Sequence, residues 1–228
     1  VPGSQSSLQQ AKAEGANVRI VYSTLDAVKI AQDRRDRSVV FFGVGFETTA
    51  PTVAASVLEA ERLELSNYYV MSVHKLIPPA MEALLESGEV RIDGFLCPGH
   101  VSAIIGSKPY EFIARDYGIP CVISGFEPLD ILRSIDLLVE QAISGRATVQ
   151  NEYSRGVRPE GNATALEIMH RVFETVNADW RGLGQIPRSG LKLRREYSRF
   201  DAETAFRIQP GPTREHPGCN CGEVLRGA

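Results

Sequence analysis

Residues 39–51 read VVFFGVGFETTAP, and this stretch gives the clearest indication of how the chain folds. Its first part, from Val39 to Val44, is a nearly unbroken apolar run, which is typical of a strand buried on both faces in a parallel sheet. The second part carries a glycine, a carboxylate and two threonines, and Pro51 follows at a position where the first turn of a helix tolerates proline. The stretch therefore predicts a strand, a polar joint and a helix in direct succession.

The same succession repeats on both sides of this stretch. Further strands are predicted at 18–22, 68–73, 92–96 and 120–123, and helices at about 8–14, 24–33, 51–61, 79–86, 110–117 and 129–143. Strands that alternate with helices through short joints imply right-handed crossovers and parallel strands covered by helices. We therefore predict an α/β fold over residues 1–145, with a doubly wound, mostly parallel sheet that carries helices on both faces.

The pattern loosens after Gly145. Residues 162–173 predict one more helix, whereas the glycine-rich stretch 180–193 is interpreted as a loop or extension. We expect a helix and irregular extension over 146–207, followed by a separate small cysteine-containing part that starts at 208 and runs to 228.

Composition excludes several classes of function. The 228 residues include 25 Lys and Arg against 28 Asp and Glu, a formal net charge of −3, which argues against a nucleic-acid-binding surface because phosphate neutralisation needs clustered surplus cations. No apolar run approaches the roughly 18 to 20 residues that span a membrane. Four cysteines are too few for a disulfide scaffold and favour a reducing, cytoplasmic location. Since the chain has no initiating Met, we expect it to be part of a longer one.

Four polar segments each follow a predicted strand and precede a predicted helix. They lie at 45–49, 72–75, 98–102 and 124–127. The carboxyl ends of parallel strands form the edge of a sheet where ligand crevices occur, so we expect one shared cleft. Its candidate residues are Glu47, His74, His100 and Glu127.

A structural interpretation stands beside the functional one. Thr48 or Thr49 is suited to cap the helix that follows, and Glu47 and Glu127 lie near helix N-termini, where the macrodipole favours carboxylates. Two histidines and a lysine in the same set favour a binding site, because ordinary caps do not need them.

The cysteines fall into two pairs. Cys97 and Cys121 lie in apolar surroundings and are interpreted as small buried hydrophobic residues. Cys219 and Cys221 form a Cys-x-Cys motif whose thiolates suit an iron–sulfur cluster or zinc, yet such sites need about four ligands. Either this tail is inert or its remaining ligands lie beyond the end of this chain. His216, three residues before Cys219, could help a metal site, although an exposed tail residue is the simpler interpretation.

Seven long segments carry a family resemblance. They read GFETTAP at 45–51, SVHKLIPPA at 72–80, PGHVSAIIG at 98–106, GFEPLDIL at 125–132, NEYSR at 151–155, WRGLG at 180–184 and PGCNCGE at 217–223. With these segments the chain resembles the HypD family of hydrogenase maturation proteins from end to end, without a large gap.

The resemblance implies much that spacing does not show. HypD proteins help to assemble the Fe(CN)2CO unit of nickel–iron hydrogenases, as a metallocofactor assembly scaffold rather than a free-standing enzyme. Together with HypC they form the platform on which iron receives its diatomic ligands, HypE supplies cyanide, and the hydrogenase large subunit is an indirect partner. The family fold has two α/β domains and a small domain with a [4Fe-4S] cluster for redox steps. By matching motifs, the implied cleft residues are Glu47, Thr48, Thr49, His100 and Ser102, and the implied cluster ligands are Cys219 and Cys221.

The chain departs from the family pattern in three places. The Cys-Gly-Thr-His-Glu motif, whose cysteine is thought to bind the iron, is absent, and so is the Gly-Pro-Gly-Cys-Pro-Val-Cys motif. The cysteines expected after Cys221 are missing too. We therefore expect the chain to hold the second α/β domain and a truncated iron–sulfur part, and to be unable to carry out maturation by itself.

Two other hypotheses stay open. An α/β enzyme could bind a phosphorylated or carboxylated small molecule, with Glu47 or His100 as general acid or base; the absence of a Walker or Gly-x-Gly-x-x-Gly motif argues against it. An interaction module could dock a partner through the arginine-rich stretch 188–207, for which a solvated face is the simpler interpretation.

Overall fold

A computed structural model describes residues 6–208, 211 and 217–227, so His216 lies outside the described residues. The strands in these ranges are β1 (Val39–Gly43), β2 (Tyr68–Ser72), β3 (Phe95–Pro98), β4 (Cys121–Ser124), β5 (Val149–Asn151), β6 (Phe173–Trp180) and β7 (Gly184–Leu193). The α-helices are α1 (Leu8–Ala13), α2 (Thr24–Asp33), α3 (Ala50–Arg62), α4 (Ile77–Glu86), α5 (Gly99–Ile105), α6 (Glu111–Tyr117), α7 (Pro128–Ser144), α8 (Ala163–Val172), α9 (Ala202–Phe206) and α10 (Cys221–Arg226).

Local sequence explains where the helices begin and end. The Ser23 side chain accepts from Leu25 N while Asp26 reaches back to Ser23 N, a capping box that starts α2. Asn162 caps α8 by accepting from Ala165 N, which confirms the helix predicted at 162–173. In the described part of the chain, no helix combines the length and apolar character needed to cross a membrane.

The strands form three small sheets. β1 and β2 pair in parallel, β3, β4 and β5 form a second parallel sheet in that order, and β6 and β7 form an antiparallel hairpin. The predicted α/β class, with parallel strands and flanking helices, is confirmed. The parallel strands are divided between two sheets, and the three-part division at 145 and 207 stays a prediction.

Each parallel sheet has its own apolar core. The first core surrounds β1 and β2, where α2, α3 and α8 meet the hairpin around Val57, Tyr68 and Phe173. The second lies beside β4 and includes Tyr110 and Ile113. Full burial of such a side chain stabilises the fold by about 1.5 to 3 kcal/mol.

The prediction for Cys97 and Cys121 is confirmed, since both side chains are buried in the second core. They lie on the paired strands β3 and β4. A hydrogen bond with Cys121, together with burial, raises the pKa of the Cys97 thiol well above its ordinary value. Both residues therefore pack as apolar groups.

The strand predicted at 18–22 is wrong. The segment has no strand pairing, and Ile20 and Tyr22 are 77% and 99% exposed. A β-branched run forms a strand only when it fits a partly buried pleated surface, and no described neighbour supplies one here. The prediction that β1 is buried on both faces is also wrong, because Val40 is 46% exposed.

The loop predicted over 180–193 is wrong as well. Most of this stretch is β7, which pairs with β6 in a hairpin. The glycines in this stretch are compatible with the hairpin. Gly182 and Gly184 adopt positive φ at the turn. Gly190 allows the two strands to approach closely, because a Cβ there would lie 2.7 Å from Ala178 Cβ. The register shift between Val176 and Ala178 adds a bulge that periodicity does not disclose.

Candidate functional site

The four polar segments lie at the carboxyl ends of paired strands. β1 ends opposite β2, with Gly43 paired to Ser72, so the segments 45–49 and 72–75 leave the first sheet side by side. β3 ends opposite β4, with Pro98 paired to Ser124, so 98–102 and 124–127 leave the second sheet together. The strand ends therefore bring the predicted residues together in two groups, one at each sheet.

Glu47 is buried and holds the start of α4. Its side chain is 2% exposed, and Oε1 accepts a hydrogen bond of 2.8 Å from Ile77 N. The first N–H groups of a helix have no partner within the helix, and Pro78 and Pro79 have no N–H at all. Ile77 N is therefore the one N–H among the first three residues of α4, and Glu47 pairs with it. The carboxylate thus anchors the 45–49 loop to the next helix, in line with the structural interpretation.

Burial gives Glu47 an unusual acidity. Loss of solvent raises the pKa of its carboxyl from 4.5 to about 7, although backbone hydrogen bonds from Glu47 and Ile77 act in the opposite direction. Its second oxygen, Oε2, is buried without a hydrogen-bond partner among the described residues. The group is therefore partly protonated at neutral pH.

His74 is also buried, and its tautomer follows from its neighbours. Ser72 Oγ donates to Leu191 O at 2.9 Å, so its one proton is used and it accepts from His74 Nδ1 at 3.0 Å. Nε2 then carries a lone pair, and it has no hydrogen-bond partner within the described ranges. Burial lowers the pKa of the imidazole from 6.5 to about 4, so the ring is neutral.

The two threonines lie at the surface of the same loop. Thr48 is half-buried and Thr49 is exposed. Thr49 occupies the N-cap position of α3 without a side-chain cap, and its hydroxyl donates to Phe46 O at 3.3 Å instead. Thr49 therefore stands at the predicted cap position, but its side chain does not cap the helix.

Ser102 is buried in α5, the helix that follows β3. Its Oγ donates to Pro98 O at 2.8 Å and lies 3.2 Å from the hydroxyl of Tyr110. Burial raises the pKa of Tyr110, whereas the hydrogen bond with Ser102 acts in the opposite direction. Ser102 thus contacts a buried tyrosine that the sequence did not single out.

His100 and Glu127 lie in the open at the second sheet. The His100 imidazole is exposed and lies against Phe126, with ring centroids 4.7 Å apart. Glu127 is the N-cap residue of α7 and its side chain is 78% exposed. The carboxylate lies 3.7 Å from Arg155, so Glu127 combines a helix-starting position with a loose surface ion pair.

Arg155 is a residue that sequence reasoning did not weigh. It donates to Asp130 Oδ2 at 2.6 Å and lies 4.5 Å from the centre of the Tyr153 ring. The guanidinium lowers the pKa of the Asp130 carboxyl. Tyr153 and Arg155 both belong to the family segment at 151–155, and that segment is the feature of the sequence from which their role could have been predicted.

A cavity of about 220 Å³ opens beside the end of β2, between the hairpin and α9. Two lysines and three carboxylates line it, namely Lys75, Lys192, Asp179, Asp201 and Glu203. This lining does not favour an anionic ligand, so it gives no support to an enzyme for phosphorylated or carboxylated small molecules.

The arginine-rich face makes contacts within the chain. Arg194 Nε donates to His170 O at 2.8 Å, and Arg199 pairs with Glu61 at 3.3 Å. These partners favour the solvated, self-contained face over a surface that awaits a docking protein.

The cysteine tail holds only part of a metal site. Cys219 is half-exposed and Cys221 is exposed. Across residues 6–208, 211 and 217–227, no group of three or more His, Cys, Asp or Glu side chains is placed to hold a metal ion. Two thiolates alone do not fit a [4Fe-4S] cluster, so any such cluster needs ligands from outside these residues.

Comparison with known proteins gives one consistent result. The family model described as "HypD: Hydrogenase formation hypA family" matches residues 1–228. Hydrogenase maturation factor HypD2 of Bradyrhizobium diazoefficiens is 50% identical, with all of the present chain and 62% of the relative covered. Hydrogenase maturation factor HypD of Escherichia coli is 49% identical, with 100% and 61% covered. A putative hydrogenase expression/formation protein of Methanocaldococcus jannaschii is 44% identical, with 100% and 63% covered. The chain thus spans about three fifths of the length of these curated relatives.

Proposed function

Because the chain belongs to the HypD family of hydrogenase formation proteins, we propose that it contributes to the maturation of nickel–iron hydrogenase as part of an assembly scaffold for the Fe(CN)2CO unit. In this proposal the iron unit is the cargo, and the whole HypD protein is the platform. The present chain supplies the strand-end loops and two cysteines of that platform.

One observation carries the proposal. The family segments at 45–51, 72–80 and 98–106 run from the ends of paired parallel strands into the first turns of α3, α4 and α5. Glu47 and Ser102 are buried and hold these segments in place, whereas Thr49 and His100 are exposed. Exposed polar groups on anchored segments at a strand edge form a suitable site for a small anionic cargo.

The exposed groups have the right chemistry for cyanide ligands. Cyanide bound to iron accepts hydrogen bonds at its nitrogen, and threonine hydroxyls and an imidazole N–H can donate them. Fixed donors around a metal complex orient it and tune its electronic properties. In this proposal Thr48 and His100 would make such contacts directly, and Thr49 would do so when its hydroxyl releases Phe46 O. Glu47, His74, Ser102 and Glu127 keep the surrounding segments in place.

Cys219 and Cys221 would supply two thiolates of a [4Fe-4S] cluster in the whole protein. The other ligands would come from outside the described residues, as the incomplete donor set requires. When bound, such a cluster exchanges electrons with its surroundings. The work proposed for this chain is limited to holding the two thiolates in place.

The partners are proposed from the same family membership. HypC would share the iron cargo, HypE would deliver cyanide, and the large subunit of the hydrogenase would finally receive the unit. We propose that this work takes place in the cytoplasm.

The proposal is tested with the longer HypD protein that contains this chain, produced in cells that lack their own HypD. The double change Thr48→Val and Thr49→Val removes two hydroxyls with little change of shape, and we expect hydrogenase activity in extracts to fall about 10- to 100-fold. Thr175→Val is the matched control, because this exposed threonine lies on β6 outside the loops. Full activity of the double variant at normal protein level would contradict the proposed site.

A further inference from the structure

The turn of the β6–β7 hairpin and the start of α10 meet through two glycines. A Cβ on Gly182 would lie 2.5 Å from Gly222 N and 2.8 Å from Gly222 Cα. A Cβ on Gly222 would in turn lie 2.5 Å from Gly182 O. These distances are shorter than real Cβ contacts, and backbone atoms cannot move aside as a flexible side chain can. The contact therefore requires glycine on both sides.

The far end of α10 is also attached. Arg91 N donates to Arg226 O at 2.9 Å, and a Cβ on Gly227 would lie 2.6 Å from Arg91 O. The short helix that begins at Cys221 is thus held at its first turn by the hairpin and at its last turn by the segment before β3. A six-residue helix does not form stably alone in water, so these two contacts hold it in place.

The hairpin that carries Gly182 is itself fixed to the candidate site. Trp180 Nε1 donates to Ser189 Oγ at 2.8 Å, and its ring lies 6.2 Å from that of Phe46, the neighbour of Glu47. Through its backbone the same Ser189 accepts from Leu76 N at 2.9 Å, just before α4. A continuous set of contacts therefore joins the strand-end loops to the turn that touches the tail.

From these contacts we infer that Gly182 is a positioning residue for Cys219 and Cys221, and that the Gly182–Gly222 contact docks the cysteine tail on the hairpin. The docking is a property of the chain itself. Its purpose, to present two thiolates to a cluster at a fixed place relative to the strand-end loops, rests on the proposed function.

The first test measures amide hydrogen exchange of the peptide 217–227 in the 228-residue chain by mass spectrometry. Gly182→Ala and Gly222→Ala are expected to accelerate exchange of this peptide about tenfold or more, because undocking becomes easier. Gly184→Ala is the matched control: its φ of +74° is close to the +77° of Gly182, but nothing lies within 4 Å of its Cβ position. The control shares the backbone strain and leaves the contact intact.

The result that supports the inference is faster exchange in both contact variants and unchanged exchange in Gly184→Ala. Unchanged exchange in both contact variants would overturn it, and so would equal acceleration in Gly184→Ala, since backbone strain would then explain the effect. Because Gly222 lies in the tail, its variant leaves the core able to fold. Unchanged circular dichroism verifies this for all three variants.

A second test separates the docking from its purpose. The longer HypD protein is loaded with iron and sulfide, and its visible absorption and electron paramagnetic resonance spectra are recorded for the same variants. Altered spectra for Gly182→Ala beside unaltered spectra for Gly184→Ala support the positioning role, and unaltered spectra for both would overturn it. If the unchanged protein forms no cluster, the proposed cluster fails, whereas the exchange experiment still decides the docking.

Discussion

Replacing Glu47 by glutamine is expected to stabilise the chain at pH 8 far more than at pH 5. Glutamine keeps an oxygen that accepts from Ile77 N, so the anchor of α4 is retained. It removes the negative charge that forms in a buried, solvent-poor place when the carboxyl loses its proton. The variant therefore isolates the free energy associated with that charge.

The magnitude follows from the pKa of Glu47, which burial raises from 4.5 to about 7. Between these two pH values the folded chain binds more protons than the unfolded one, so the free energy of unfolding falls as pH rises. The stabilising effect of the proton is fully present below pH 4.5 and lost above pH 7. At about 1.4 kcal/mol per pH unit, the difference amounts to about 3 kcal/mol.

His74 produces the opposite trend and hides this effect in the unchanged chain. Burial lowers the pKa of its imidazole from 6.5 to about 4, so the unfolded chain binds more protons in that window. Stability due to His74 is present above pH 6.5 and lost as pH falls towards 4. The two slopes nearly cancel between pH 4.5 and 6.5, so only the difference between variant and unchanged chain isolates the carboxyl of Glu47.

Urea unfolding followed by fluorescence of Trp180 and by circular dichroism gives the free energy of unfolding at both pH values. We expect the difference, Glu47→Gln minus unchanged chain, to grow by about 2 to 3 kcal/mol from pH 5 to pH 8. The control Glu174→Gln, at an exposed position on β6, should change stability by less than about 0.5 kcal/mol. A difference that stays constant with pH would refute the account of Glu47 as a buried carboxyl with raised pKa.

Three further predictions concern the same interior. Ser102→Ala leaves the buried hydroxyl of Tyr110 without the partner that the structure gives it, so urea unfolding should show a loss of about 1 to 3 kcal/mol. Gly43→Ala places a Cβ 2.8 Å from the buried imidazole of His74, and thermal unfolding should show a loss of stability of about 1 to 3 kcal/mol. Unchanged stability would contradict this prediction and show that the ring can move aside. Titration with a thiol reagent should label two cysteines in the native chain and all four after unfolding, because Cys97 and Cys121 are buried; four reactive thiols in the native chain would contradict that burial.

Much of the fold could be predicted because several signals agreed locally. The apolar run at 39–44 became β1, and the cap at Ser23 and the glycine at 145 mark real helix ends. The strand at 18–22 failed because a strand also needs a neighbour, which composition cannot supply. The β6–β7 hairpin was missed because glycines that indicate a loop also permit close approach between strands.

For the candidate site too, the position of the residues along the chain could be predicted, whereas their burial could not. That Glu47 and His74 would both follow strands could be predicted, since parallel strands end at one edge. Which of the polar side chains would turn inward could not, because burial depends on residues far away in sequence. Glu47 accepts from Ile77 N, which lies 30 positions further along the chain. Ser72, the partner of His74, donates to Leu191 O, which lies 119 positions further along.

Infrared spectroscopy reports on whether donors on the strand-end loops contact the iron cargo. The sample is the longer HypD protein purified with HypC and carrying iron with cyanide and carbonyl. We expect the Thr48→Val, Thr49→Val double variant to shift the cyanide bands or lose them, and Thr175→Val to leave them unchanged. Cyanide bands of full intensity at unchanged frequency in the double variant would contradict this contact.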